Sequence, residues 1–291
     1  MTTRSRCPHG GPTLDNGNCT IPGVDGMPVQ CVGIWTKDKH HYLTAYIAAT
    51  RAVRRGYLIA KPGRKPGGAA FVDLFAGPGL ARIRETGEVV NGSPLIALAH
   101  SATPFSRVIC CDLDTENVDA LKERTRQFGD RVQVVHGDCN DRIDEIVKLV
   151  PPYGLNIALV DPYGLRPLRF ETLARLGAVV RMDLIVHFPT ADMKRNFANP
   201  STRDLIDKFL GTDAWRKHVV RPKDVPKLID MFKERLAKEG YGSESVRSLA
   251  IANSRKAILY HLVFASKHDR GSKIWNSIAR STPAGQRAWD F

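Results

Sequence analysis

A chain of 291 residues, 43% hydrophobic and 25% charged, has room for one large α/β domain with additions and holds no apolar run near the roughly 18 residues a membrane span needs. Forty-three Lys and Arg against 30 Asp and Glu give +13, and residues 191–291 alone carry 20 basic and 11 acidic side chains. A basic last third is an electrostatic footprint for a phosphate backbone, or an aid to solubility.

The start, MTTRSRCPHGG, lacks the apolar core of a secretion signal, so a cytoplasmic protein is expected. Residues 1–34, with Pro8, Pro12, Pro22 and Pro28 among many glycines, read as a loop-rich extension with no room for a regular element. It precedes an α/β domain over 35–291 that has helical insertions around 192–240. Cys7, His9, Cys19 and Cys31 of the extension form a candidate zinc set of non-standard spacing. A Cys19–Cys31 contact or disulfide, or incidental thiols, are the alternatives. Cys110, Cys111 and Cys139 fall in or beside core strands and read as small buried hydrophobes.

From Trp35 to Val53 the spacing predicts a helix capped by Thr36, with Tyr42, Leu43, Tyr46, Ile47 and Ala49 on its apolar face and Arg51, Arg54 and Arg55 at its negative end. The basic turn Lys61–Gly68 leads into AAFVDLFAGPGL at Ala69–Leu80, an apolar run ending on an acid and a Gly-Pro-Gly loop. This suits a buried parallel strand turning sharply at the edge where open α/β sheets bind ligands. Gly77 and Gly79 allow special dihedrals and close ligand approach, and Pro78 stiffens the loop between them. Three readings are open. A dinucleotide site wants G-x-G-x-x-G running into a helix, and no third glycine follows here. An S-adenosylmethionine site would use Asp73, because the donor's cationic methionine end favours a nearby carboxylate, with Phe75, Ala76, Gly77, Pro78 and Gly79 around it. A plain strand turn is the third.

Arg82–Gly92 reads as a long functional loop, with Ile83–Gly87 as coil, and Ser93 and Pro94 as the cap and first residue of a helix. The next strand, Ser106–Asp112, delivers Asp112 and Leu113 where a carboxylate grips ribose hydroxyls, while Asp114 and Glu116 open the helix Thr115–Phe128. A third strand, Arg131–His136, delivers Asp138 and Cys139, placing Asp138 near an adenine amine. A fourth, Leu155–Val160, delivers Asp161-Pro162-Tyr163-Gly164: a carboxylate, a carbonyl without strand partners and an aromatic face, a set that suits an exocyclic amine. An Asp capping a turn is the plainer alternative. The fifth strand, Met182–Phe188, holds His187, read as a hydrogen-bonded core histidine, and is followed by Lys194, Arg195 and Asn196, placed to meet a phosphate or base. Two closing runs, Ser245–Ile251 and Ala257–Ala265, suit an antiparallel pair, and a short helix near Ser272–Arg280 ends the pattern.

Five strands alternating with helices, acids at the ends of the first four, and the closing antiparallel pair resemble the class I S-adenosylmethionine-dependent methyltransferases, whose fold is a doubly wound, mostly parallel, seven-stranded Rossmann-like sheet. More narrowly, DLFAGPG at Asp73–Gly79, GSPLIAL at Gly92–Leu98, CDLD at Cys111–Asp114, DPYG at Asp161–Gly164 and KHHYL at Lys39–Leu43 look like the three-Cys-motif partner protein family. That resemblance covers Trp35 to the end and implies S-adenosyl-L-methionine as cofactor and a radical-type iron–sulfur protein as partner. The three cysteines of the family's name belong to that partner and not to Cys7, Cys19 and Cys31. DPYG is also similar to the DPFG of tRNA guanine-N2 methyltransferases and, with one proline fewer, to the DPPY of amino-methylating DNA enzymes. By that match Asp161, Pro162 and Tyr163 would hold an exocyclic amine of a nucleic-acid base for in-line attack on the methyl group. A small-molecule or peptide acceptor shared with the iron–sulfur partner, or a silent module that only binds nucleic acid or a partner, are the competing expectations.

Overall fold

The structure is a computed structural model and describes residues 19–60, 62–63, 66–100, 102–253 and 256–281. Its centre is β3 (Ala70–Asp73), hydrogen-bonded in parallel to β6 (Arg107–Asp112) on one side and β8 (Asn156–Val160) on the other. β7 (Val132–His136) extends the sheet beyond β6, and β9 (Met182–Phe188) extends it beyond β8. The pair β10 (Val246–Ala252) and β11 (Ile258–Ala265) closes the far edge, with β11 antiparallel to β9, giving the order β10-β11-β9-β8-β3-β6-β7. The chain therefore builds outward from β3 to β7, then jumps back across β3 to continue with β8. That reversal opens a crevice at the carboxyl ends of β3 and β8, the place where doubly wound sheets take ligands.

The central strands are apolar throughout because both sheet faces are covered. Alternate residues serve opposite sides: Ala70 and Val72 of β3 join Ala158 and Val160 of β8 in one core, while Phe71 joins Ile157 and Leu159 in the other. The first core is covered by α5 (Cys139–Leu149), α6 (Phe170–Gly177), α8 (Pro200–Leu210) and α9 (Pro226–Leu236). The second is covered by α1 (Thr36–Ala49), α3 (Ser93–Ala99), α4 (Thr115–Thr125) and α10 (Asp269–Ala279). Tyr42, Leu43, Tyr46 and Ile47 of α1 are buried there, each such side chain contributing about 1.5–3 kcal/mol. The Tyr46 hydroxyl donates to Oδ2 of buried Asp183 at 2.7 Å, which fixes the rotation of α1 against β9.

Several local expectations change. Trp35 rather than Thr36 takes the position before α1, with no side-chain cap, and α1 ends at Ala49 before a separate α2 (Arg51–Leu58). Arg54 is buried, donates to the Ile47 and Thr103 carbonyls and lies 4.3 Å over the Phe105 ring, so it ties the two helices to the core. Gly92 rather than Ser93 precedes α3. The fourth helix ends at Thr125, because Gly129 at φ 54° breaks the turns that follow.

The larger difference lies in the segments read as loop. Residues 20–32 contain a hairpin, β1 (Thr20–Pro22) and β2 (Pro28–Val32), and the connection after the glycine loop contains β4 (Leu80–Ile83) and β5 (Val89–Asn91). They form a second sheet in the order β1-β2-β4-β5, in which β2 runs parallel to β4 with Cys31 opposite Arg82. Arg124 of α4 fastens this sheet down. Its guanidinium makes two 2.9 Å bonds to the Asp25 carboxylate and donates to the Pro28 carbonyl at 2.8 Å and the Pro78 carbonyl at 2.6 Å. Lysine cannot span four such acceptors. Arg124→Lys is therefore expected to speed amide hydrogen exchange in residues 23–32 by about tenfold or more while β3, β6 and β8 stay protected; equal protection of the hairpin in both proteins would show that the strap is unnecessary.

Candidate functional site

Between the main sheet's carboxyl edge and the second sheet lies a cavity of about 800 Å³. Its floor is the turn after β3. Gly77 and Gly79 sit at φ 59° and 88°, in the left-handed region where a side chain would strain the backbone. A Cβ on Gly77 would also meet Oε1 of Gln30, from β2, at 2.9 Å. Gly77 N–H donates to Oδ2 of Asp112 at 2.8 Å, and Ala76 N–H donates to the Cys111 carbonyl at 2.9 Å, so the end of β6 holds the loop open.

Four carboxylates surround this floor, one from the end of each of the four strands β3, β6, β7 and β8. Asp73 is fully buried beneath the loop and does not line the cavity. Its Oδ1 accepts from Phe75 N–H at 3.2 Å, whereas its Oδ2 is a buried oxygen without a hydrogen-bond partner. Burial pushes its pKa up to about 7, against the pull of Ser93 and Phe75. Asp112 lines the cavity; burial raises its carboxyl although Asp114 N–H, Asn117 Nδ2 and Gly77 N–H all donate to it. Leu113, beside it, is 61% exposed and also lines the cavity. Asp138 caps α5 through Oδ1, which accepts from Asn140, and its Oδ2 has no partner among the described residues. Cys139 lies at the same wall.

Asp161 stands across the crevice in a different setting. Its Oδ2 pairs with the Lys39 ammonium and its Oδ1 lies 3.1 Å from Nδ1 of His187. Burial opposes its charge, but Lys39 and His187 outweigh that and hold the carboxyl well below the usual carboxylate range. All three side chains keep only 15–21% exposure and line the cavity. The Pro162 carbonyl, read as lacking strand partners, accepts from Gly164 N–H at 2.9 Å within its own turn and has His187 Nδ1 3.2 Å away. Tyr163 is 43% exposed at the rim. His187 is thus hydrogen-bonded as expected, yet faces the cavity instead of the core. The Tyr260 ring packs edge-on against it, with ring centroids 4.4 Å apart, and the Tyr260 hydroxyl donates to the Trp35 carbonyl at 3.1 Å. His40, also in the lining, is pushed down to about 3 by burial and then by Lys39, so it is neutral at pH 7.

Of the expected substrate-binding residues, Arg195 lines the cavity, while Lys194 and Asn196 do not. All three lie on α7 (Thr190–Asn196), where Asn196 Nδ2 donates to the Asp192 carbonyl at 2.8 Å and so stitches its own helix. Arg84 and Arg166 join Arg195 in the lining. Some of the basic last third is paired locally, as in the contacts of Arg216 with Asp204 and Asp207.

Sequence reasoning missed Gln30, Trp35, Lys39, His40 and Tyr260 as lining residues. Lys39 left a signal: it lies three, four and seven residues before Tyr42, Leu43 and Tyr46, on the apolar stripe of α1. A lysine there requires a partner, and Asp161 is that partner.

The candidate zinc set falls only in part on described residues. Cys7 and His9 lie outside the described residues. Cys19 is disulfide-bonded and Cys31 is a free buried thiol raised by burial, so a Cys19–Cys31 disulfide is excluded; the contact between them is a backbone bond from Cys31 N–H to the Cys19 carbonyl at 2.7 Å. Among the described residues no cluster of His, Cys, Asp or Glu can hold a metal ion, and no helix is long and apolar enough to cross a membrane.

No protein-family model matches the chain, and no curated protein matches it. Among solved structures it is similar to protein LPL1258 of Legionella pneumophila, at 11% identity and a TM-score of 0.50, over 88% of this chain and 95% of that one. An O-methyltransferase from Bacillus cereus in complex with SAH matches at 10% identity and a TM-score of 0.45, over 81% and 82% of the two chains. TYW2 of M. jannaschii in complex with AdoMet matches at 11% and 0.40, over 86% and 84%. At such identities what is shared is the fold alone, which the strand order above gives as a mostly parallel seven-stranded α/β sheet flanked by helices.

Proposed function

We propose that the chain transfers a methyl group from S-adenosylmethionine to an exocyclic nitrogen of a nucleic-acid base. The observation that carries the cofactor half is the meeting of Asp112, Asp138 and Asp161 on one cavity at the reversal of strand order, with Asp73 buried beneath a loop whose glycines cannot be replaced without collision or strain. The orphaned Oδ2 of Asp73 is what a site for a cation leaves when the cation is absent from the geometry. Asp112 would take the ribose hydroxyls, Asp138 Oδ2 the adenine amine, and the 74–79 turn the methionine end. The donor supplies an electrophilic methyl group on a positively charged sulfur; this chain supplies position and a matched electrostatic surround.

The acceptor half rests on the cavity's lining. Arg84, Arg166 and Arg195 line the same cavity as Trp35, Tyr163 and Tyr260. Cations interleaved with aromatic faces suit a polynucleotide whose target base is unstacked and held against a ring. The iron–sulfur partner implied by the motif resemblance enters the proposal through those motifs alone. The test is incubation with methyl-labelled donor and either RNA or DNA, followed by digestion to nucleosides. Label on an N-methylated base is expected, with binding that weakens by a log–log salt slope of about −0.7 to −0.9 per neutralised phosphate. Donor binding without transfer to any polynucleotide would shift the acceptor to a small molecule or peptide. Absence of donor binding would leave the silent binding module.

A further inference from the structure

We infer that His187 Nε2 is the base that removes the acceptor's proton, with Asp161 and Pro162 as the groups that set its tautomer; this deepens the proposed methyl transfer and rests on it. The motif had assigned Asp161 to grip the acceptor amine, but both of its oxygens are engaged, one by Lys39 and one by His187. Of the three groups in this pairing, the imidazole is the one left with an unpartnered nitrogen, on a ring that lines the cavity.

Nδ1 of His187 has two neighbours, Asp161 Oδ1 at 3.1 Å and the Pro162 carbonyl at 3.2 Å. Both can only accept, because Asp161 is held ionised and a peptide carbonyl carries no proton. Nδ1 therefore bears the hydrogen, and the neutral ring keeps its lone pair on Nε2. Nε2 has no hydrogen-bond partner among the described residues, is not among the fully buried unpartnered polar atoms, and belongs to a ring that lines the cavity. The ring cannot swing away readily: Tyr260 packs on its edge and is itself tied to the Trp35 carbonyl. A structural histidine has no need of a directed and open second nitrogen.

In the step so assigned, His187 Nε2 accepts the proton that the acceptor nitrogen loses as its bond to the methyl carbon forms and the sulfur–carbon bond breaks, the bonding pair staying on sulfur. The acceptor gains a methyl group and loses one proton, and the imidazolium that results is stabilised by the Asp161 carboxylate. Other ionisable groups around the ring's side of the cavity are Lys39 and His40 from α1, Tyr260 from β11, and Asp192 and Arg195 from α7.

His187→Asn tests this, because the asparagine amide can donate to Asp161 where Nδ1 did but presents nothing in place of Nε2. Transfer is expected to fall by about 10²–10³-fold with donor affinity within about twofold of wild type, and the acidic limb of the kcat/KM pH profile is expected to vanish. Transfer within about threefold of wild type would overturn the assignment. Nitrogen-15 NMR of labelled protein reads the same claim without turnover: His187 must show Nδ1–H and an unprotonated Nε2 in its neutral form, and Asp161→Asn, which can donate where the carboxylate could not, is expected to mix the tautomers. A wild-type ring protonated on Nε2 would overturn the inference even in an active enzyme. Failure of wild type to bind donor would instead sink the proposed function, and this assignment with it.

Discussion

Asp112→Ala is expected to weaken binding of both S-adenosylmethionine and S-adenosylhomocysteine by about a hundredfold, read by calorimetric titration. The carboxylate holds three parts of the site together: Oδ2 accepts from Gly77 N–H at 2.8 Å, and Oδ1 accepts from Asp114 N–H at 3.0 Å and Asn117 Nδ2 at 3.1 Å. Removing it leaves those donors unpaired and releases the glycine loop from β6. The proposed ribose contact goes as well, and a hydrogen bond to a charged group contributes about 1.5–3 kcal/mol. Asp112→Asn keeps the shape and one acceptor, so a loss of about tenfold is expected. Equal loss of both ligands matters, since they share the ribose and differ at the methyl group. A folded Asp112→Ala protein whose affinities stay within about threefold of wild type would show that the end of β6 does not hold the cofactor.

The main sheet and its row of acids were legible in the sequence because each parallel strand carries its own local signal. A run such as AFVD in β3 is buried on both faces and stops at an acid, and identical direction in neighbouring strands puts all such stops on one edge. The cavity's roof was not legible. Pro22 and Pro28 pair with each other at the end of the β1–β2 hairpin, where proline costs little, and β2 finds its other partner in β4, far along the chain. Both segments alternate in burial, but over only five and four residues, too short a run to stand out from loop in the sequence. β5, with its exposed–intermediate–exposed pattern, also has too little apolar contrast to read as a strand. At the site, Asp161 was legible as a strand-end acid, but its pairing with Lys39 and His187 joins three separate elements, α1, the end of β8 and β9. Lys39 on the stripe of α1 was the residue from which that pairing was inferable, and His187 needed the register of β8 against β9 as well.

Asp73 connects cofactor binding to pH. Its carboxyl, pushed by burial up to about 7 from an ordinary 3.8, keeps a proton in the folded chain over a range where the unfolded chain has lost it. Stability therefore falls as pH rises from about 4 to about 7, and the cost of the buried charge is fully present above that window. Asp73→Asn has no charge to bury and is expected to unfold at higher temperature than wild type at pH 8, by about 1–2 kcal/mol of added stability, with the advantage shrinking toward pH 5. The same carboxylate is the negative charge beneath the loop that would hold the donor's cationic end, so Asp73→Asn is expected to lose about tenfold or more in donor affinity at pH 8. Binding a cation above a half-protonated acid must also expel protons. Near pH 7, titrations in buffers of different ionisation enthalpy are expected to show release of about half a proton per donor bound, absent in Asp73→Asn. Wild-type binding without proton release at pH 7, or an Asp73→Asn protein no more stable than wild type at pH 8, would mean that Asp73 is ionised in the unliganded protein. The orphaned Oδ2 would then have to be satisfied within the fold, and the site would owe its cation preference to Asp112 and Asp138 instead.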